Sequence, residues 1–196
     1  IITIHINRRP VAVSQNLTIN EDSELNISLT YQEPDNSNID ISYIITTSPI
    51  NGILKLLNGN IIQQPQLPIH LNNNQLVYIP NENYHGNDIF SFKVTDGILD
   101  STPNNIKITI LSVNDTPTGY TIPIHINEDT PTNIVLNGND IDNDESELTF
   151  HISKLPLNGK LKNMNGNILN TIPIQLNTNQ IEYIPNTHYF LYCHTF

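Results

Sequence analysis

Asn20-Glu21-Asp22 recurs as Asn127-Glu128-Asp129, a step of 107 residues. The same step carries Pro10 to Pro117, Pro49-Ile50-Asn51-Gly52 to Pro156-Leu157-Asn158-Gly159, and Asn58-Gly59-Asn60-Ile61 to Asn165-Gly166-Asn167-Ile168. Beyond that the step falls to 105, with Tyr78-Ile79-Pro80-Asn81 matching Tyr183-Ile184-Pro185-Asn186, so one loop of the second copy is two residues shorter. A register kept across so many motifs marks two homologous units, each long enough to bury a core of its own.

The frame also places the boundaries. Asn7-Arg8-Arg9-Pro10 aligns with Asn114-Asp115-Thr116-Pro117, so residues 1–7 match the segment Ile108-Thr109-Ile110-Leu111-Ser112-Val113-Asn114. Residues 1–7 are therefore expected to be the last strand of a preceding unit, residues 8–115 a complete unit, and residues 116–196 a second, truncated one. Asn83-Tyr84-His85-Gly86-Asn87-Asp88-Ile89-Phe90-Ser91-Phe92 has a counterpart only as far as Tyr189, after which Phe190-Leu191-Tyr192-Cys193-His194-Thr195-Phe196 departs from the pattern. The second unit is expected to lack its last two strands, with residues 187–196 poorly ordered, as in a fragment of a longer tandem array.

Within each unit the apolar period is two. Phe90, Phe92 and Val94 alternate with Ser91, Lys93 and Thr95; Ile106, Ile108 and Ile110 alternate with Lys107 and Thr109; Ile122, Ile124 and Ile126 do the same. Such alternation puts one face of a strand on a core and the other in water. Asn58-Gly59 and Asn165-Gly166, between Ile- and Leu-rich runs, signal hairpins because both residue types tolerate positive φ. With prolines at intervals and no helical stripe, the reading is all-β, about seven short strands per unit in an immunoglobulin-like sandwich.

Charge and composition remove several functions. Nineteen acidic against eight basic residues give a net charge of −11, whereas nucleic-acid binding needs clustered Lys and Arg. No apolar run reaches the ~18 residues that span a bilayer. The single cysteine, Cys193, excludes an internal disulfide and a Cys-based zinc site. The seven histidines form no His-Glu-x-x-His, and neither a Gly-x-Ser-x-Gly elbow nor a Gly-rich phosphate loop is present, so no enzyme is expected. Asn16-Leu17-Thr18 and Asn26-Ile27-Ser28 are glycosylation sequons, meaningful in a eukaryotic secretory pathway.

The first unit runs Pro10-Val11-Ala12-Val13, Asn20-Glu21-Asp22 and Pro49-Ile50-Asn51-Gly52, then Tyr78-Ile79-Pro80. It closes with Tyr84-His85-Gly86-Asn87-Asp88-Ile89-Phe90-Ser91-Phe92-Lys93-Val94-Thr95-Asp96-Gly97 and the linker Val113-Asn114-Asp115-Thr116-Pro117. This resembles the bacterial cadherin-like tandem repeats of large surface adhesins and, more distantly, cadherin and chondroitin-sulfate proteoglycan repeats. The resemblance implies Greek-key β-sandwiches stacked end to end, extracellular or cell-surface placement, and often calcium at the junctions.

Residue by residue, the cadherin calcium set carries over to Glu21, Asn114, Asp115, Asp140 and Asp142. Ca²⁺ takes six to eight hard oxygens, which suits such a mixed Asp, Asn and Glu set. Asp96 resembles an Asp at the opposite end of the first unit, and Glu82 is a weaker candidate. The preceding linker departs from the pattern: Arg8 stands where Asp115 stands later, and Glu33-Pro34-Asp35 replaces Asp140-Ile141-Asp142. Weak or no calcium is expected there. An EF-hand is rejected, because Asp140-Ile141-Asp142-Asn143-Asp144 has Glu145 and His151 where that loop needs Gly and Glu, and a strand at Leu148-Thr149-Phe150 is expected to follow. The competing reading is that these carboxylates are solvated turn residues, whose mutual repulsion in water is only about 1 kcal/mol.

The expectation is a non-enzymatic structural and adhesive module with neighbouring repeats as partners and a calcium-stiffened junction. The alternative is a polysaccharide-binding module, with Tyr31, Tyr43 or Tyr120 supplying an exposed aromatic surface.

Overall fold

A computed structural model describes residues 7–35, 40–62, 66–120 and 122–188. The chain divides into two compact units, Ile1–Val113 and Asn114–Phe196. Both are β structures, and the helical content of the described residues is one 3-10 turn at Glu145–Glu147.

The first unit has strands β1 (Val11–Ala12), β2 (Gln15–Asn20), β3 (Leu25–Ser28), β4 (Tyr31–Gln32), β5 (Ser42–Thr47), β6 (Gly52–Leu56), β7 (Ile61–Ile62), β8 (Ile69–Leu71), β9 (Gln75–Pro80), β10 (Gly86–Thr95) and β11 (Asn104–Leu111). Five of them form one sheet in the order β2-β11-β10-β5-β8, four a second in the order β3-β9-β6-β7, and β1 pairs with β4. The pairing is antiparallel except for β2, which lies parallel to β11 with Leu17 beside Ile108.

The period-two residues supply the layer between the sheets. Phe90, Phe92 and Val94 of β10 and Ile106, Ile108 and Ile110 of β11 are buried, facing Ile27, Leu54, Leu76 and Tyr78 of the other sheet. Each such side chain contributes roughly 1.5–3 kcal/mol by leaving water. The β6–β7 hairpin turns at Asn58-Gly59, where Gly59 takes φ +88° and Asn60 N–H donates to Asn58 Oδ1 (3.0 Å). A side chain at Gly59 disfavours that left-handed backbone.

The second unit has β12 (Thr118–Gly119), β13 (Thr132–Val135), β14 (Gly138–Asn139), β15 (His151–Ile152), β16 (Gly159–Asn163), β17 (Ile168–Leu169), β18 (Ile174–Gln175) and β19 (Gln180–Pro185). Its sheets are β13-β19-β16-β17, β12-β14 and β15-β18. Shifted by 107 or 105 residues, β12 to β19 fall on β1 and β3 to β9. Its core, Ile152, Leu161, Leu176, Ile181 and Tyr183, repeats positions Ile45, Leu54, Leu71, Leu76 and Tyr78.

Two expectations are corrected here. Ile122–Ile126 was expected to alternate as a strand, yet residues 122–127 are not a strand. Their counterpart β2 is held by pairing with β11, and among the described residues no strand pairs with 122–127 in that way. Leu148-Thr149-Phe150 is not a strand either. The 3-10 turn at Glu145–Glu147 delays re-entry until His151, whose partner is Gln175. The expectations for residues 1–6 and 189–196 lie outside the described residues.

Candidate functional site

Three of the carried-over acidic positions lie close together in the second unit, on the loop between β14 and β15 and on the segment leading into β12. Asp140 Oδ1 accepts the N–H groups of Asp142 (2.8 Å) and Asn143 (3.0 Å), an Asx turn that these short side chains favour. Asp142 Oδ2 accepts the Asp115 N–H (2.6 Å), and the Asn114 side chain donates to the Asp115 carbonyl (2.8 Å). Glu147 closes the loop, accepting from the Asn143 side chain (3.3 Å) and the Asp144 N–H (3.2 Å). Asn114 and Asp140, with Gly119, Gly138, Leu148 and Phe150, line a cavity of about 360 Å³.

Glu21, the fifth carried-over residue, belongs to the first unit. It is buried, its Oε1 accepts the Val113 N–H (2.6 Å), and its own N–H donates to the Leu111 carbonyl (2.9 Å). It thus ties β2 to the chain leaving β11. His85 Nδ1 lies 3.9 Å from its Oε2.

The donor chemistry suits a hard cation. Among the described residues no group of three or more His, Cys, Asp or Glu side chains is gathered so that it could hold a metal ion. The carboxylates of Asp140 and Asp142 accept backbone N–H groups in this turn.

The first unit shows a related corner. Asp35 Oδ2 accepts the Arg8 N–H, and Arg8 Nε lies 3.7 Å from Asp35 Oδ1. Asp35 N–H donates to Glu33 Oε1 (3.2 Å). Asn7, next to Arg8, donates its side-chain amide to Asp96 Oδ2 (2.9 Å). Asp96 Oδ1 accepts the N–H groups of Leu99 (2.7 Å) and Ile98 (2.8 Å). The Leu99 N–H above all, then the Asn7 amide and the Ile98 N–H, hold this carboxyl below the usual carboxylate range. Glu82 is exposed.

Sequence reasoning missed Asp88. Buried in β10, it accepts from the N–H groups of Ile50 (3.0 Å), Asn51 (2.9 Å) and Ile89 (2.9 Å) and from the Tyr78 hydroxyl (2.9 Å). The available signal was an acid at an inward position of the alternation 88, 90, 92, 94. A repeated bond was also missed: Asn83 N–H donates to Asp22 Oδ1 (3.1 Å), and His188 N–H to Asp129 Oδ1 (2.9 Å).

The aromatic candidates for sugar stacking divide. Tyr31 is 40% exposed and meets the buried Tyr43 edge-on, with ring centroids 6.1 Å apart. Tyr120, in the second unit, is 56% exposed.

A family model described as a bacterial Ig domain matches residues 7–109, more than half of the chain. The chain belongs to the bacterial Ig-domain family. Ig-like domains of this kind are typically extracellular, and no described helix is long and apolar enough to cross a membrane.

Two relatives of this bacterial Ig-domain chain are from Dictyostelium discoideum. Integrin beta-like protein A is 30% identical over 192 residues, covering 91% of this chain and 10% of that protein. Integrin beta-like protein C is 30% identical over 114 residues, covering 58% of this chain and 6% of that protein. The chain thus spans a tenth or less of the length of these relatives. Among solved structures, cadherin domains 3–6 of protocadherin gamma B2 superpose with a TM-score of 0.45 at 16% identity, over 90% of this chain and 38% of that one.

Proposed function

We propose that this chain is a non-enzymatic structural and adhesive segment of a longer extracellular or cell-surface protein, built from tandem Ig-like repeats. The observation that carries the reading is the recurrence of eight strands of the first unit, in order, in the second. A chain that reuses one sandwich adds length and repeated surface, which is what spacers and adhesins require. Membership of the bacterial Ig-domain family and the likeness to integrin beta-like proteins support it.

The calcium part of the proposal rests on the resemblance and assigns Glu21, Asn114, Asp115, Asp140 and Asp142 as oxygen donors that stiffen the junction between repeats. Binding at the weak end of the range, about 10⁻⁴–10⁻³ M, is the expectation for an extracellular module. Thermal melting with and without millimolar Ca²⁺, beside Asp140→Ala, tests it. A calcium-dependent rise that Asp140→Ala abolishes supports the assignment; melts unchanged by Ca²⁺ leave these side chains as turn residues.

A second reading, a polysaccharide-binding module, is favoured by the half-exposed Tyr31 standing on Tyr43. Isothermal titration with polysaccharides separates the two, because a spacer gives no binding heat.

A further inference from the structure

The entry corner of the first unit repeats the backbone of the second unit's corner with the opposite charge on one side chain. Arg8 N–H donates to Asp35 Oδ2 as Asp115 N–H donates to Asp142 Oδ2. Asp35 N–H donates to Glu33 Oε1 as Asp142 N–H donates to Asp140 Oδ1. The positions correspond one for one under the 107-residue step. Position 8 carries a guanidinium, whereas position 115 carries a carboxylate.

We propose that Arg8 is a built-in cation for the first unit, offsetting Asp35 and Glu33 where the corresponding positions of the second unit are Asp115, Asp140 and Asp142. The entry segment of this unit is then pinned by the chain's own charge and is indifferent to divalent ions in solution. Three further observations support it. Asp35 is the sheltered partner, its side chain 16% exposed against 69% for Arg8, so the guanidinium reaches the carboxylate from the solvent side. Glu33 Oε2 is buried and accepts no hydrogen bond among the described residues, so nearby positive charge matters to it. Asn7, the preceding residue, ties the same segment to buried Asp96, which fixes the backbone that carries Arg8. The only arginines in this chain of net charge −11 are Arg8 and Arg9, both at this entry. An arginine is always charged and always at hand, so its effect does not depend on an ion's concentration.

The inference concerns the first unit alone and does not need calcium at the second. Its test is hydrogen exchange read by mass spectrometry on the whole chain, following peptides over residues 30–35, in chelator and in millimolar Ca²⁺. The expected result is wild-type protection at Asp35 that is the same in both solutions. Arg8→Ala is expected to speed exchange there by about two- to fivefold, the scale of an exposed ion pair. Arg8→Asp, which copies the second unit, is expected to speed it further than Arg8→Ala does. Protection of the Phe90–Val94 amides, unchanged in each variant, shows that the sandwich is still folded. The proposal is overturned if Arg8→Ala exchanges like wild type or if wild-type protection itself depends on Ca²⁺.

Discussion

The ring of Tyr78 packs on Gly52 so closely that a Cβ there would come within 2.6 Å of two ring carbons and of the Ile79 carbonyl oxygen. The second unit repeats the contact: a Cβ at Gly159 would come within 2.4 Å of the Tyr183 ring. In both, the tyrosine hydroxyl reaches back to the carbonyl before the glycine, Asn51 at 3.5 Å and Asn158 at 2.9 Å. Pro-x-Asn-Gly and Tyr-Ile-Pro-Asn are therefore two halves of one packing unit, which is why both motifs recur.

Gly52→Ala is expected to destabilise the first unit by about 1–3 kcal/mol, because ring and backbone must both shift. Gly59→Ala meets no atom within 4 Å and is strained only by its φ, so it should cost about 1–2 kcal/mol. Denaturant melts of the two variants check this, and a larger loss at Gly59 contradicts it.

The Tyr78 hydroxyl donates to Asp88, and burial, then that bond and the Asp88 charge, push its pKa far above the ordinary tyrosine range. The neutral form is favoured in the folded chain, so this stabilisation is whole below the unfolded tyrosine value, about pH 10, and is lost as pH rises above it. Tyr78→Phe should flatten stability measured against pH between about 9 and 11. Tyr43, raised chiefly by burial, leaves a smaller residual slope.

Asp96 shows the opposite sign. Its folded pKa is lowered, so its contribution is present above the unfolded value of about 4 and is lost as pH falls through the folded one. Asn7→Ala should move the Asp96 titration, followed by nuclear magnetic resonance, upward and soften acid unfolding of the first unit. An unmoved titration curve contradicts the role given to the Asn7 amide.

Asp88→Asn should cost about 1–3 kcal/mol, since an amide replaces an acceptor that serves three backbone N–H groups and a hydroxyl. Thermal melting should show a drop of about 4–8 °C per kcal/mol for a unit of this size. Asp22→Asn, at an exposed turn, should change it far less.

The sequence by itself determined the repeat, the all-β class and the inward face of β10 and β11, because a period of two is local and survives whatever the strand pairs with. It also singled out Asn58-Gly59 as a turn, since backbone sterics are local too. Tertiary structure alone decided whether Ile122, Ile124 and Ile126 become a strand, because pairing partners come from distant residues and alternation cannot show whether one is present. It likewise decided the work of each acid: Glu21 serves the Val113 N–H, Asp88 the Ile50 and Asn51 N–H groups, and Asp35 the entry at Arg8. A carboxylate's partner is set by which backbone groups the fold leaves beside it, and residue type does not encode that distance.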